Sequence, residues 1–179
     1  LVAIVIPAVA RPAGSAARPQ ELWTVEVVDG AGDGQFTSMA LDAAGRPHIS
    51  YHDGVNRVLK YAHHDGAAWH TQVIDAAGWG WYTSLALGPA GQVHISYYDY
   101  YLANLKYAYY DGASWSISTV DSLTGAGEYT SLTLDAAGRP HISYAVRSGT
   151  VYLKYAYYDG TAWQFQVVDN TCYAGQSSL

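Results

Sequence analysis

YTSLALGPAGQVHISYYDYYLANLKYAYYDGASWSISTVD, residues 82–121, holds four short apolar alternations divided by turn signals. YTSLALG (82–88) passes through Pro89-Ala90-Gly91 into VHISYYD (93–99), and LKYAYYD (105–111) closes on Asp111-Gly112 before WSISTVD (115–121). Alternation of period two, rich in aromatic and β-branched residues, marks half-buried strands, and no helical period competes with it. Asp-Gly between two such runs is a hairpin signal, because glycine accepts the positive φ of a tight turn.

The same four segments recur on both sides. FTSMALD (36–42) and YTSLTLD (129–135) copy the first, and PHISYHD (47–53) and PHISYAV (140–146) the second. LKYAHHD (59–65) and LKYAYYD (153–159) copy the third, and WHTQVID (69–75) and WQFQVVD (163–169) the fourth. Trp23, Trp69, Trp115 and Trp163 each precede an Asp by six residues (Asp29, Asp75, Asp121, Asp169). Ser38, Ser84, Ser131 and Ser178 repeat with the same spacing of 46 to 48 residues. Four antiparallel strands per unit of this length form the blade of a β-propeller. A two-sheet sandwich does not explain near-identical units. The fold class expected is all-β, a partial β-propeller of four-stranded antiparallel blades.

Residues 21–179 read as a propeller fragment: an orphan outer strand at 23–29, three complete blades, and the start of a fourth at Ser177-Ser178-Leu179. Three blades do not close a ring, since propellers have about 4–8. The expectation is a piece of a longer reading frame; the alternative is self-assembly of several copies into one ring, which would also cover exposed edges.

Residues 1–20 read as a signal-peptide remnant and linker. LVAIVIPAVA is too short to span a bilayer, which takes about 20 residues, and Ala8-Val9-Ala10 fits a small-x-small cleavage pattern. A buried N-terminal strand is the alternative. Export makes the protein secreted and extracellular. Cys172 is the single cysteine, so no intrachain disulfide forms; exposed outside the cell, it would suggest an interchain link.

The 17 Tyr and 6 Trp, against 2 Phe, suit strands and half-wet binding surfaces. Net charge is −6 with no Lys/Arg run, which excludes the electrostatic footprint of a nucleic-acid binder and disfavours an anionic membrane.

The strings YTSLALxxxGxxHISYYD, LKYAYYDGxxW and VVD resemble repeats of secreted bacterial and archaeal β-propeller proteins, over residues 21–179. The resemblance implies architecture and location more than activity. The Trp, Gly and Tyr content and the period also resemble, at a distance, lectin propellers of the tachylectin or tectonin kind. Asp159-Gly160-Thr161-Ala162-Trp163 sits where sialidase-type propellers carry their Asp box, but lacks the Ser two before the Asp and one residue before the Trp. No sugar-contact residue carries over from either group.

His48, His94 and His141 invite a metal reading, but each lies on a second strand, away from the axis. A structural hydrogen bond with Ser50, Ser96 and Ser143, two residues on, accounts for them better. Lys60, Lys106 and Lys154 read as a solvated face or blade-edge contact, and the repeated Trp as packing anchors between blades. Residues outside the repeat say more about function. The loops joining strands 4 to 1 and 2 to 3 share one propeller face, and hold Trp79, Trp81, Tyr98, Asp99, Tyr100, Tyr101, Asn104, His52, Asp53 and Asn56. Aromatic rings beside Asp and Asn suit sugars: the ring packs on C–H groups while carboxylate and amide bond hydroxyls.

Catalysis has little to build on. Glycosidases need two facing carboxylates, whereas Glu21, Glu26 and Glu128, and Arg57 and Arg147, read as isolated; Asp53 and Asp99 are explained by repetition. Asp29 and Asp33, in Asp29-Gly-Ala-Gly-Asp33-Gly, could hold calcium only loosely, without the full acidic spacing of a calcium loop, and no cofactor is expected. The reading is a secreted, non-catalytic binding module for carbohydrate. The alternatives are a structural or adhesive scaffold that meets protein surfaces, and a truncated glycoside hydrolase of sialidase-like type.

Overall fold

The computed structural model describes residues 2–6 and 24–170. Their regular elements are strands: β1 (Val2–Ile6), β2 (Thr24–Asp29), β3 (Gly34–Leu41), β4 (Pro47–Asp53), β5 (Val58–His64), β6 (Trp69–Asp75), β7 (Gly80–Leu87), β8 (Val93–Asp99), β9 (Asn104–Tyr110), β10 (Trp115–Asp121), β11 (Ala126–Leu134), β12 (Pro140–Ser148), β13 (Thr150–Tyr158) and β14 (Trp163–Asp169). β3 to β6, β7 to β10 and β11 to β14 form three antiparallel sheets of four strands in chain order. These are propeller-like blades, one per sequence unit. Among the described residues no helix is long and apolar enough to cross a membrane.

Residues 2–6 form β1, which pairs antiparallel with β2. Ala8-Val9-Ala10, the 11–20 linker, Glu21, Trp23, Cys172 and Ser178 lie outside the described residues.

The hairpin turns follow the sequence signal. Asp65 Oδ1 accepts the Ala67 and Ala68 N–H groups at 2.7 and 2.8 Å, and Gly66 takes φ +105°, which costs a glycine little. First strands begin earlier than their alternation suggests, because each continues past a bulge. The ladder shifts between Gln35 and Ser38, Trp81 and Ser84, and Glu128 and Ser131. Within these bulges Phe36, Tyr82 and Tyr129 hold φ of 51°, 53° and 53°, uncommon for aromatic residues and tolerated only where the surroundings enforce it. A bulge re-aims a side chain. Here it brings three mutually tilted rings together across three sheets, with centroids 4.8 Å apart for Phe36–Tyr82 and 4.4 Å for Tyr82–Tyr129.

The Thr-Ser pair of each first strand joins neighbouring blades. Thr83 Oγ1 donates to the Phe36 carbonyl at 2.8 Å and lies 2.8 Å from buried Ser50 Oγ. Ser38 Oγ accepts the Leu85 N–H at 3.0 Å, and Ser84 Oγ that of Leu132 at 2.9 Å. Ser96 and Thr130 repeat the hydroxyl contact at 2.8 Å. Backbone groups on the outer edge of each first strand are thereby satisfied from the adjacent blade.

Beneath these contacts runs a repeated charged clamp. Tyr97 is wholly buried, so its hydroxyl must replace the water it loses; it donates to Asp75 Oδ2 at 2.6 Å. Lys106 Nζ lies 3.0 Å from the same oxygen and 2.8 Å from Asp99 Oδ2. Tyr51, Lys60, Asp29 and Asp53 repeat the arrangement. Burial pushes the Asp75 carboxyl up, but hydrogen bonds from Tyr97 and Lys106 more than reverse this, so it ionises below the usual range. In the third blade Tyr144 and Lys154 hold Asp121, and Val146 replaces the second carboxylate. The lysines therefore do not lie on a solvated face; they make the repeated blade-edge contact offered as the other reading, as mostly buried struts. Each clamp spans two sheets, because its first Asp ends the fourth strand of the preceding unit.

Candidate functional site

Two loops meet at one end of the second blade. The Trp79 carbonyl, between β6 and β7, accepts the Trp81 N–H at 2.8 Å and the Tyr100 N–H at 3.2 Å. Asp99 Oδ1 shapes the β8–β9 loop by accepting the Tyr101 and Leu102 N–H groups at 3.0 and 3.2 Å. Loops 4-to-1 and 2-to-3 thus share a face, and their aromatic residues gather into a rim. The Tyr100 ring stacks on Trp81 at 4.1 Å and on Trp79 at 5.3 Å. Arg57, reaching over from the first blade, places its guanidinium 4.8 Å from the Trp79 ring. His52 meets Trp81 edge-on at 6.2 Å, and Tyr98 meets Tyr100 at 6.3 Å.

Trp79, Trp81, Tyr98, Tyr100 and His52 therefore come together. Tyr101 is 72% exposed at the loop tip, and Asn56 is exposed beside Asp53, to which its Nδ2 donates at 2.8 Å. Asp53 and Asp99 are wholly buried and belong to the lysine clamps. Burial raises the Asp53 carboxyl, yet hydrogen bonds from Asn56 and Lys60 prevail and hold it at about 2. Asn104 is buried opposite Asp99 at the start of β9. Three polar atoms of this set, His52 Nδ1, Trp81 Nε1 and Asn104 Oδ1, are buried with no hydrogen-bond partner among the described residues. Buried polar atoms are normally paired, so these three are exceptions within the packed base of the rim.

Glu128 and Arg147, isolated in the sequence reading, form an ion pair, with Arg147 Nε 2.6 Å from Glu128 Oε2. Arg147 also lies 5.8 Å above the Tyr129 ring, and burial pushes the Glu128 carboxyl up. Both belong to the unit that breaks the repeat, with Glu128 where Trp81 stands and Val146 where Asp99 stands. That break is the signal that could have joined them.

The recurrent histidines are structural, but their partner differs from the expected serine. His48, His94 and His141 Nδ1 each lie 2.5 Å from a third-strand tyrosine hydroxyl, of Tyr61, Tyr107 and Tyr155. The serines are out of reach because Ser50 and Ser96 point to the next blade. Asp29 is bound to Lys60 and Tyr51, and Asp33 accepts the Gln35 amide at 2.8 Å, so each carboxylate suggested for calcium is taken by a protein donor. Among the described residues no group of three or more His, Cys, Asp or Glu could hold a metal ion.

No protein-family model and no curated protein matches the chain. Solved structures do. A fucose lectin from Kordia zhangzhouensis, in complex with methyl-fucoside, is similar with a TM-score of 0.51 at 18% identity, over 74% of this chain and 99% of its own. A protein of unknown function from Dyadobacter fermentans is similar with a TM-score of 0.55 at 13% identity, over 74% of this chain and 41% of its own. At such identities the likeness is one of fold alone.

Proposed function

We propose that the protein is a secreted, non-catalytic β-propeller module that binds carbohydrate at the aromatic rim. The observation that carries this reading is the Trp79–Tyr100–Trp81 stack at the face the two loops share. Stacked rings give a sugar's C–H groups an apolar face. The fold shared with a fucose lectin supports it. Export rests on the leader pattern.

A module without catalysis accords with the state of the carboxylates. Asp29, Asp53, Asp75, Asp99 and Asp121 are tied to lysines and Glu128 to Arg147, whereas glycoside hydrolysis needs two facing carboxyl groups with different protonation. The adhesive-scaffold reading has one observation of its own: the fourth strands expose Val73, Ile117, Phe165 and Val167. Ring closure with further copies also has support, since Met39 is 55% exposed where its counterparts Leu85 and Leu132 are covered by the preceding blade.

A glycan array followed by titration tests the reading. Trp79→Ala is expected to weaken the best ligand by about threefold to tenfold, the scale of one aromatic contact. Unchanged affinity in Trp79→Ala and Trp81→Ala, both folded, would remove the rim as the site.

A further inference from the structure

The junction between the second and third blades holds a groove of about 430 Å³, lined by Tyr107, Tyr109, Ser116, Ser118, Arg139 and Trp163 among others. It lies away from the rim. His94, on its wall, is five residues before Asp99 on β8, about 17 Å along a strand. The equivalent groove between the first and second blades encloses about 180 Å³. Small-molecule pockets run from about 300 to 1,000 Å³, so only the first has room for a ligand of that kind.

The difference has a cause in the sequence. On the fourth strands, Ser116 and Ser118 occupy the positions held by His70 and Gln72 in the preceding unit and by Gln164 and Gln166 in the following one. Gln72 lines the narrow groove, and His70 stacks on His63 at 5.2 Å while bonding Asp65 at 2.7 Å. Two serines in their place leave that volume open. A structural repeat does not require this exchange, since larger side chains serve both neighbouring units.

The open groove has the chemistry of a sugar subsite. Trp163 stands edge-on to Tyr107 at 5.4 Å and to Tyr158 at 5.7 Å, so its indole is fixed by two rings. Tyr107 and Tyr109 lie parallel, 6.5 Å apart. Ser118 Oγ has no protein partner among the described residues, and Ser116 Oγ reaches only the Tyr109 carbonyl, at 3.4 Å. Arg139 is held by Asp135 at 2.7 Å and turned toward the Asp159 carbonyl, so its charge is already balanced. Aromatic walls, two available hydroxyls and a neutralised cation suit an uncharged ring with one apolar face.

We propose that this groove is a second binding site, separate from the rim, which takes a single neutral pyranose ring against Trp163. The inference goes beyond the rim reading, and the two fail separately. Methyl glycosides of glucose, galactose, mannose and fucose would be titrated into the full chain by saturation-transfer NMR, alongside Ser118→Gln and Trp79→Ala. Ser118→Gln installs the residue that the other two units carry, so folding is preserved, as an unchanged thermal midpoint would verify. Binding of at least one glycoside, retained in Trp79→Ala and weakened about tenfold or more in Ser118→Gln, is the expected result. Full affinity in Ser118→Gln would overturn the groove, and if Trp79→Ala then lost binding the rim would stand alone. Binding lost in Ser118→Gln and untouched in Trp79→Ala keeps the groove and leaves the rim to be judged by the glycan array. Silence from all four glycosides would overturn the groove, leaving the rim to the array.

Discussion

Lys60 Nζ lies 2.7 Å from Asp29 Oδ2, although the lysine belongs to the first four-stranded sheet and the carboxylate to the strand before it. Both side chains are largely buried, so the pair ties two sheets together with charges that have lost most of their water. Removing one partner leaves the other charged and uncompensated, the costly case for a buried pair.

Lys106→Met is therefore expected to destabilise the chain by about 3–5 kcal/mol, because Asp75 and Asp99 both lose their cation. Lys154→Met should cost less, since Val146 leaves Lys154 with Asp121 alone. Urea denaturation of the two variants checks the order; equal losses would show that the second carboxylate is immaterial.

Burial depresses His94 to about 4, below its unfolded value of about 6.5. The unfolded chain thus takes up the proton first. The neutral histidine's contribution is complete above about pH 6.5 and is lost as pH falls toward 4, by roughly 3 kcal/mol in all. Stability measured across that window should fall less steeply in His94→Gln, which keeps a polar partner for Tyr107 without titrating.

Thr83→Val removes the hydroxyl that bonds both Ser50 and the Phe36 carbonyl. Ser50 is wholly buried, and an orphaned buried polar group costs about 1–3 kcal/mol. Thr83→Ser should restore most of the loss in a melting experiment, and failure to do so would assign the effect to packing.

A Cβ added at Gly80 would meet Leu59 Cβ at 2.7 Å and Leu59 Cα at 3.2 Å, in the neighbouring blade. Gly80→Ala is expected to cost about 1–3 kcal/mol by overpacking. Gly30→Ala, whose nearest contact is 3.8 Å away, should stay within about 0.5 kcal/mol. Thermal melts of the pair separate crowding from a general intolerance of alanine.

Strand order and sheet membership were legible in the sequence because alternation and Asp-Gly turns are local, and repetition supplied each signal three times. Loop sharing was legible too, and it placed Trp79, Trp81 and Tyr100 together. The partners of polar side chains were not. Ser50 lies on the same strand as His48, yet its hydroxyl crosses to Thr83, a contact set by how blades stack. Asp53 and Asp99 looked available for sugar hydroxyls because only the pairing of neighbouring strands brings Lys60 and Lys106 back against them. Glu128 and Arg147 looked solitary for the same reason. The strained φ of Phe36, Tyr82 and Tyr129 left no local mark, since aromatic residues give no warning of a left-handed backbone.

The clamp also bears on how such an array can grow. Each clamp is out of step with the sequence unit by one strand, so a segment copied from one fourth strand to the next carries both the first carboxylate of a clamp and the lysine that answers it. Adding or deleting one such segment inside the array changes the number of blades and leaves neither a lone lysine nor a lone strand-ending aspartate at the new seam. Length could thus drift during evolution without a penalty in buried charge, and Val146 shows that the second carboxylate can be lost while the seam survives.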